Sequence, residues 1–336
     1  MGAARVLMLC LLATLLAVSP YGRVVGNALP NLLPPPATAA ATTPTPRPYA
    51  CVVHGVCGGA NAPDPPFHLL VFMTAWQRLP LTAAVLAHYA RLRESPALAA
   101  ARVVLAVHVA GSGGDTVAAV AVAAGATYSE HPNTPLGAKH VAGLDAGRVA
   151  HPASDGVVVV GSDDLLPVTY LVAVAERLRG GRSHVVGLAD LGVVDLGGWQ
   201  AAYSAGYRRG ANAIASTVGL GRAYSAALLD ALAPRGGLWE APLQRGLDQS
   251  AARRLGASRG VDIKTGDAGG VNLWGYATLV GAGGDGPHHR LHRFERRSVD
   301  ELVGAVGGDA ALADLRSVRK ALAGGGGGNA STAAER

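Results

Sequence analysis

Two adjacent carboxylates, Asp163 and Asp164, follow the run Gly156-Val-Val-Val-Val160 and Gly161-Ser162. Neighbouring carboxylates repel, so such a pair needs compensation. A hard divalent cation, Mg²⁺ or Mn²⁺, takes oxygen ligands and bridges phosphate oxygens. Gly161 leaves backbone room beside the pair. The alternative is a solvated turn with Asp164 near the start of the next helix. Lys139, in Asn133-Thr-Pro-Leu-Gly-Ala-Lys139, is one of only three lysines among 29 basic residues. At a helix start it would face an anionic ligand; otherwise it is an exposed helical lysine. Asp248 is either a helix N-cap or a base placed over a pocket. The cluster His288-His289-Arg290-Leu291-His292-Arg293 lacks zinc-ligand spacing and is either a diphosphate clamp or a solvated face. Gly111-Ser-Gly-Gly-Asp115 is not a G-x-G-x-x-G loop and reads as a glycine-rich turn, with Asp115 as a helix cap.

The elements that position these residues are legible as alternating strands and helices. His68–Met73, Val103–Val107, Ala126–Glu130 and Gly156–Val160 read as strands. Leu81, Val85, Leu86, Tyr89 and Leu92 recur at helical spacing, and Ser95-Pro96 stops them. Pro135 and Pro167 open further helices, the second bearing Leu171, Val174 and Leu178 on one face. This alternation implies an α/β fold with a mixed, mainly parallel central sheet and helices on both faces. In such sheets ligands bind beyond the carboxyl ends of the strands, here after Val107 and after Val160.

Composition mainly excludes. With 336 residues, 46 glycines, 5% aromatic residues and few lysines, the chain carries an Ala/Gly/Arg bias that we discount as a functional signal. A charged fraction of 15% and a mean hydropathy of +0.26 argue against a mostly disordered chain. The net charge of +6 permits polyanion contact, but nucleic-acid binding would want aromatics among the charges, and the basic cluster has only Phe294. Three cysteines cannot make a disulfide scaffold; Cys51 and Cys57 either close a small loop or stay free.

The first 25 residues read as a signal peptide or signal anchor, because Val6–Val18 is apolar and follows Arg5. Residues 26–62 form a Pro/Ala/Thr-rich stalk, 63–300 the globular domain, 301–323 a C-terminal helical segment and 324–336 a disordered tail carrying the sequon Asn329-Ala-Ser331. That layout suits the secretory pathway: a type II, single-pass membrane protein of the Golgi or ER lumen, or a protein secreted after cleavage.

The order of these parts resembles nucleotide-sugar glycosyltransferases of the GT-A fold, close to the inverting family-2 group. Carrying the resemblance are Val71–Arg78, Asn133–Lys139, Gly161–Asp164, Gly219–Ser225 and Leu238-Trp-Glu240 through Asp248, within residues 67–280. It implies that Thr74 and Arg78 lie by the nucleotide and that Lys139 sits over the nucleotide or its phosphates. Asp163 and Asp164 match a DXD-type motif holding the cation (Mn²⁺ or Mg²⁺) and the diphosphate, with Arg290 helping to neutralise the phosphates. Asp248 takes the catalytic-base position, although Leu247 stands where the family usually has an acid, and Glu240 competes for the role. Trp239 and Arg222 are placed on the acceptor side. The partners implied are a UDP- or GDP-sugar donor and a glycan, lipid or protein acceptor, with no nucleic acid. A nucleotidyltransferase of the same fold class and a degenerate lumenal binding or scaffold protein are the rival readings.

Overall fold

The computed structural model describes residues 65–181, 183–206, 217–256, 261–264, 270–274 and 294–324, with backbone alone at 261–264, 274, 323 and 324. The leader, the stalk with Cys51 and Cys57, the basic cluster with Arg290, and the sequon lie outside the described residues. Those described belong to the compact unit Pro63–Arg336. Among them, no helix is long and apolar enough to cross a membrane.

The chain opens with β1 (Phe67–Trp76), α1 (Leu79–Arg93), the short α2 (Pro96–Ala100) and β2 (Val103–Ser112). It continues through α3 (Asp115–Ala123), β3 (Thr127–Glu130), α4 (Leu136–Ala150), β4 (Gly156–Gly161), β5 (Asp164–Leu165) and α5 (Val168–Arg179). Then come β6 (Val185–Leu188), β7 (Leu191–Asp195), β8 (Gln200–Ser204), β9 (Ala223–Ser225), α6 (Ala226–Leu232) and α7 (Leu247–Leu255). Strands β10 (Val261–Lys264), β11 (Val271–Trp274) and β12 (Glu295–Arg297) precede the final helix α8 (Val299–Gly324), which kinks at Gly308.

Seven strands form the main sheet in the order β10-β6-β9-β4-β1-β2-β3. Strand β9 runs antiparallel to both its neighbours, and the other pairings are parallel. This is the mixed, mainly parallel sheet expected from the sequence. Alternation along β1 shows how it is covered. Phe67, Leu69, Val71, Met73 and Ala75 join a core with residues of α1, α2, α3, α5 and α8. Leu70 and Phe72 join a second core, with Leu144 of α4, Leu229 and Leu232 of α6, and Ala251 and Leu255 of α7. Period-two side chains thus bury both faces of one strand under opposite helix layers.

Helix α4 lies unusually close to the sheet. A β-carbon at Gly143 would meet the Ala110 side chain, and one at Gly147 would lie 2.9 Å from the His108 ring. Glycine here sets the depth of the helix that carries Lys139 and His140.

A smaller sheet has the order β12-β8-β7-β11-β5. Its strands are two to five residues long, too short for a periodicity to show in sequence. Its role is positional. Asn272 of β11 pairs with Asp164 of β5, and the Leu273 amide donates to the Asp163 carbonyl at 2.8 Å. The acidic pair therefore sits where the chain passes from one sheet to the other.

Candidate active site

The carboxyl ends of β1 and β4 lie side by side, with Thr74 in register with Gly161. Beside them opens a cavity of about 420 Å³, lined by Thr74, His140, Gly161, Asp164, Asp248 and Asn272 among others. It lies at the strand ends, where the parallel topology placed it.

Asp164 is buried and fully engaged. Its Oδ2 accepts from the Gly161 amide, and Asn272 Nδ2 donates to Oδ1 at 2.7 Å. Burial, reinforced by the neighbouring Asp163, pushes its carboxyl up to about 7, while Asn272, the Gly161 amide and Arg78 hold it back. Asp163 is one-fifth exposed, and its Oδ2 pairs with Arg78 Nη1 at 2.8 Å. Arg78 Nη2 donates to Ser162 Oγ at 2.9 Å. To reach there the chain adopts left-handed conformations at Gln77 (φ 54°) and Arg78 (φ 50°) just past β1. For non-glycine residues each costs on the order of 1 kcal/mol or more, strain of a kind that gathers at functional sites. The Arg78 Nε is buried with no hydrogen-bond partner.

Both carboxylates close on Gly161. A β-carbon there would lie 2.5 Å from Asp163 Oδ1 and 3.0 Å from Asp164 Oδ2. No side chain but glycine leaves that space, as the sequence suggested. Among the described residues no group of three or more His, Cys, Asp or Glu side chains forms a metal cluster. The two carboxylates are thus the acidic ligands available at this point.

Asp248 stands elsewhere on the cavity wall, in the first turn of α7, where the helix dipole favours its charge. Gly246, not Asp248, is the N-cap, and Asp248 makes no capping bond. Its side chain is 53% exposed, and its carboxylate rests against Gly219, where a β-carbon would collide with it. Glu240, the competing base, does not line the cavity; it pairs with Arg253 at 3.1 Å.

Arg222, expected on the acceptor side, is 3% exposed and lies behind Asp248, its Nη1 3.7 Å from Oδ1. Its Nε and Nη2 donate to Thr217 Oγ1 and to the Thr217 carbonyl, both at 3.0 Å. Burial works against its charge, but Tyr224 and Asp248 outweigh this and raise its pKa. Arg222 is therefore a buried counter-charge to Asp248 rather than a group facing a ligand. Trp239 is likewise 3% exposed, packed against Phe72 and His140 with ring centroids 6.2 and 5.0 Å away. A ring so enclosed offers no platform to an acceptor sugar; it is core.

Lys139 is buried instead of facing solvent. Its Nζ donates to the Ala75 carbonyl at 2.7 Å and to Asn133 Oδ1 at 3.1 Å, tying the end of β1 to the loop before α4. Burial lowers it to about 8, with Glu130 opposing. The Gly113 and Gly114 amides donate to Glu130 Oε1, so this turn is closed on a carboxylate of the chain itself, in keeping with the reading against a phosphate loop. Helix α3 caps on Gly114 without a side-chain bond, so Asp115 is not the cap.

His140 was not singled out from the sequence. It follows Lys139 on α4 and lines the cavity with Asp164 and Asp248. One isolated histidine in an Ala/Gly-rich helix carries no pattern, and only the packing of α4 brings it to the site.

No family model matches the chain, and no curated protein matches it. Among solved structures, the chain is similar to S. aureus TarS 1-349, at 16% identity over 62% of this chain and 60% of that chain, with a TM-score of 0.44. The same protein in complex with UDP-GlcNAc aligns at 14% identity over 62% of this chain and 58% of that one, with a TM-score of 0.43. The 4-diphosphocytidyl-2C-methyl-D-erythritolsynthase of Anaerococcus prevotii DSM 20548 aligns at 11% identity over 61% and 91% of the two chains, with a TM-score of 0.39. The chain spans about 60% of the length of TarS 1-349.

Proposed function

We propose that the chain is a glycosyltransferase that moves a sugar from a nucleotide-sugar donor to an acceptor hydroxyl by direct displacement, with inversion. The observation that carries this reading is one cavity at the strand ends lined by Asp164, one of the acidic pair, and separately by Asp248. The pair Asp163–Asp164 is engaged by backbone, Asn272 and Arg78, whereas the Asp248 side chain is half exposed.

In this reading Asp248 is the base. It accepts the proton of the acceptor hydroxyl as that oxygen attacks the anomeric carbon and the nucleoside diphosphate departs. Arg222 lies beneath it, its Nη1 3.7 Å from Oδ1. Thr74 lies on the wall at the end of β1, and Arg78, which this reading places by the nucleotide, holds Asp163 and Ser162 beside it. Lys139 acts indirectly by holding the end of β1.

The acidic pair fits a hard divalent cation. Asp163 Oδ1 has no hydrogen-bond partner among the described residues, and the crowding of two carboxylates at Gly161 is the charge imbalance a cation relieves. Asp163 and Asp164 would hold Mn²⁺ or Mg²⁺, which when bound neutralises charge developing on the diphosphate leaving group. We place Arg290, outside the described residues, among the groups that complete the phosphate site. The donor is a UDP- or GDP-sugar, the acceptor a glycan, lipid or protein hydroxyl. The apolar leader and Pro-rich stalk support a secretory-pathway location, as a type II protein of the ER or Golgi lumen or as a secreted one.

The test is nucleoside diphosphate release by the full chain incubated with Mn²⁺ and a panel of UDP- and GDP-sugars. Release lost in both Asp164→Ala and Asp248→Ala supports the reading. Retained release in the double variant Asp163→Ala/Asp164→Ala removes the cation site, and absence of both turnover and nucleotide binding removes the transferase.

A further inference from the structure

The cavity contains one polar group with no place in the scheme above. His140 has its Nδ1 2.9 Å from the Leu136 carbonyl, the residue one helical turn earlier. A carbonyl only accepts, so Nδ1 carries the proton and Nε2 of the neutral ring is a lone-pair acceptor. The ring is fixed in place: edge-on to Trp239 at 5.0 Å and to Phe72 at 6.1 Å. It lines the cavity, and no protein group among the described residues bonds Nε2. Burial lowers its pKa to about 4; the Leu136 carbonyl and Asp248 oppose this and Lys139 adds to it, so the ring stays neutral through the physiological range.

The rest of the wall mixes donors and acceptors, with the Thr74 hydroxyl and a second Asn272 N–H among the donors. Asn272 spends an N–H on Asp164, leaving its oxygen as an acceptor, and Asp248 presents a carboxylate. An acceptor fixed at this wall is matched by a ligand O–H rather than by an ionised phosphate oxygen, which only accepts. Resting on the glycosyltransferase reading, we propose that His140 is a specificity-determining residue whose Nε2 accepts a hydrogen bond from a hydroxyl of the transferred sugar.

A site built to accept from a hydroxyl discriminates against a ligand lacking it, because the acceptor then loses its partner. Phenylalanine at this position keeps the aromatic packing but removes Nε2, whereas asparagine keeps an acceptor. The discriminating experiment compares the full chain with His140→Phe and His140→Asn. Its probes are UDP, GDP, UDP-glucose, UDP-GlcNAc and GDP-mannose, read by calorimetric binding and by kcat and KM. In parallel, ¹⁵N-histidine spectra of the wild-type chain follow Nε2.

The expected result has three parts. The Nε2 resonance moves on adding a nucleotide sugar but not the matching diphosphate. His140→Phe binds that diphosphate within twofold of wild type yet loses at least tenfold in kcat/KM for the sugar. His140→Asn recovers part of the loss. Wild-type kcat/KM in His140→Phe, or equal losses for diphosphate and sugar, overturns the assignment while leaving the transferase intact. A wild-type chain that binds none of the nucleotide sugars overturns the transferase reading and this proposal together.

Discussion

The carboxylate of Asp248 occupies the space that a side chain at Gly219 would fill. Gly219 is not in a left-handed conformation, so alanine is conformationally acceptable there, and its effect is confined to the contact with Asp248. Gly219→Ala should push the carboxylate off its seat, lowering kcat/KM by more than tenfold through misplacement of the base. The thermal midpoint should change by no more than a few degrees. A variant with wild-type turnover would show that Asp248 does not act from this position.

In the proposed scheme a divalent cation would compete with Arg78 for Asp163, whose Oδ2 the guanidinium holds at 2.8 Å. Arg78→Gln should therefore bind Mn²⁺ about tenfold more tightly, measured by the fraction of free Mn²⁺ in electron paramagnetic resonance, while binding nucleoside diphosphate more weakly. Unchanged or weaker Mn²⁺ binding by a folded Arg78→Gln protein would separate Asp163 from the cation.

Acid should destabilise the fold through its buried histidines. Burial holds His88, His108 and His140 to about 4, below their ordinary value of 6.5. His108 is bonded on both nitrogens, to Thr127 Oγ1 at 2.8 Å and Ser129 Oγ at 2.9 Å. The unfolded chain binds these protons first. Their contribution is thus complete above pH 6.5 and lost as pH falls toward 4, at up to roughly 3 kcal/mol per group. Urea denaturation should show a lower midpoint at pH 5 than at pH 7.5. An equal or higher midpoint would contradict the burial of these rings.

The approach of α4 to the sheet supplies a purely structural prediction. Gly143→Val would set a branched side chain against Ala110 and Phe72. Overpacking of this kind costs roughly 1–3 kcal/mol, which is several degrees of thermal midpoint in a chain this size. Because α4 carries Lys139 and His140, donor binding should weaken as well. A Gly143→Val protein as stable as wild type would mean that the helix does not lie this close.

Much of this architecture was written in the sequence, and the reasons for the rest are physical. The apolar runs of β1, β2 and β4 and the prolines before α4 and α5 announce themselves, because a buried parallel strand needs nearly continuous apolar residues. Asp163, Asp164 and Asp248 were legible as side chains that must sit at element ends. The smaller sheet was not, since β5, β7, β8, β11 and β12 are too short to show a period, and Asn272 reaches Asp164 only through that sheet. Trp239 and Arg222 look like ligand-facing groups until packing encloses them. Apart from Gly161, glycine reads in the sequence as compositional background, yet Gly143, Gly147 and Gly219 also fix close approaches around the site. A bias supplies many glycines, and only three-dimensional contact shows which of them are required.

The central claim is that Asp248 acts as the base in transfer from a nucleotide sugar held at the acidic pair. Acceptor-dependent nucleoside diphosphate release by Asp248→Asn, beside the wild type and with the calorimetric affinity for the diphosphate, tests it most directly. The account predicts a fall in kcat of about 100-fold or more, with diphosphate affinity within twofold of wild type. Wild-type release by Asp248→Asn would contradict it.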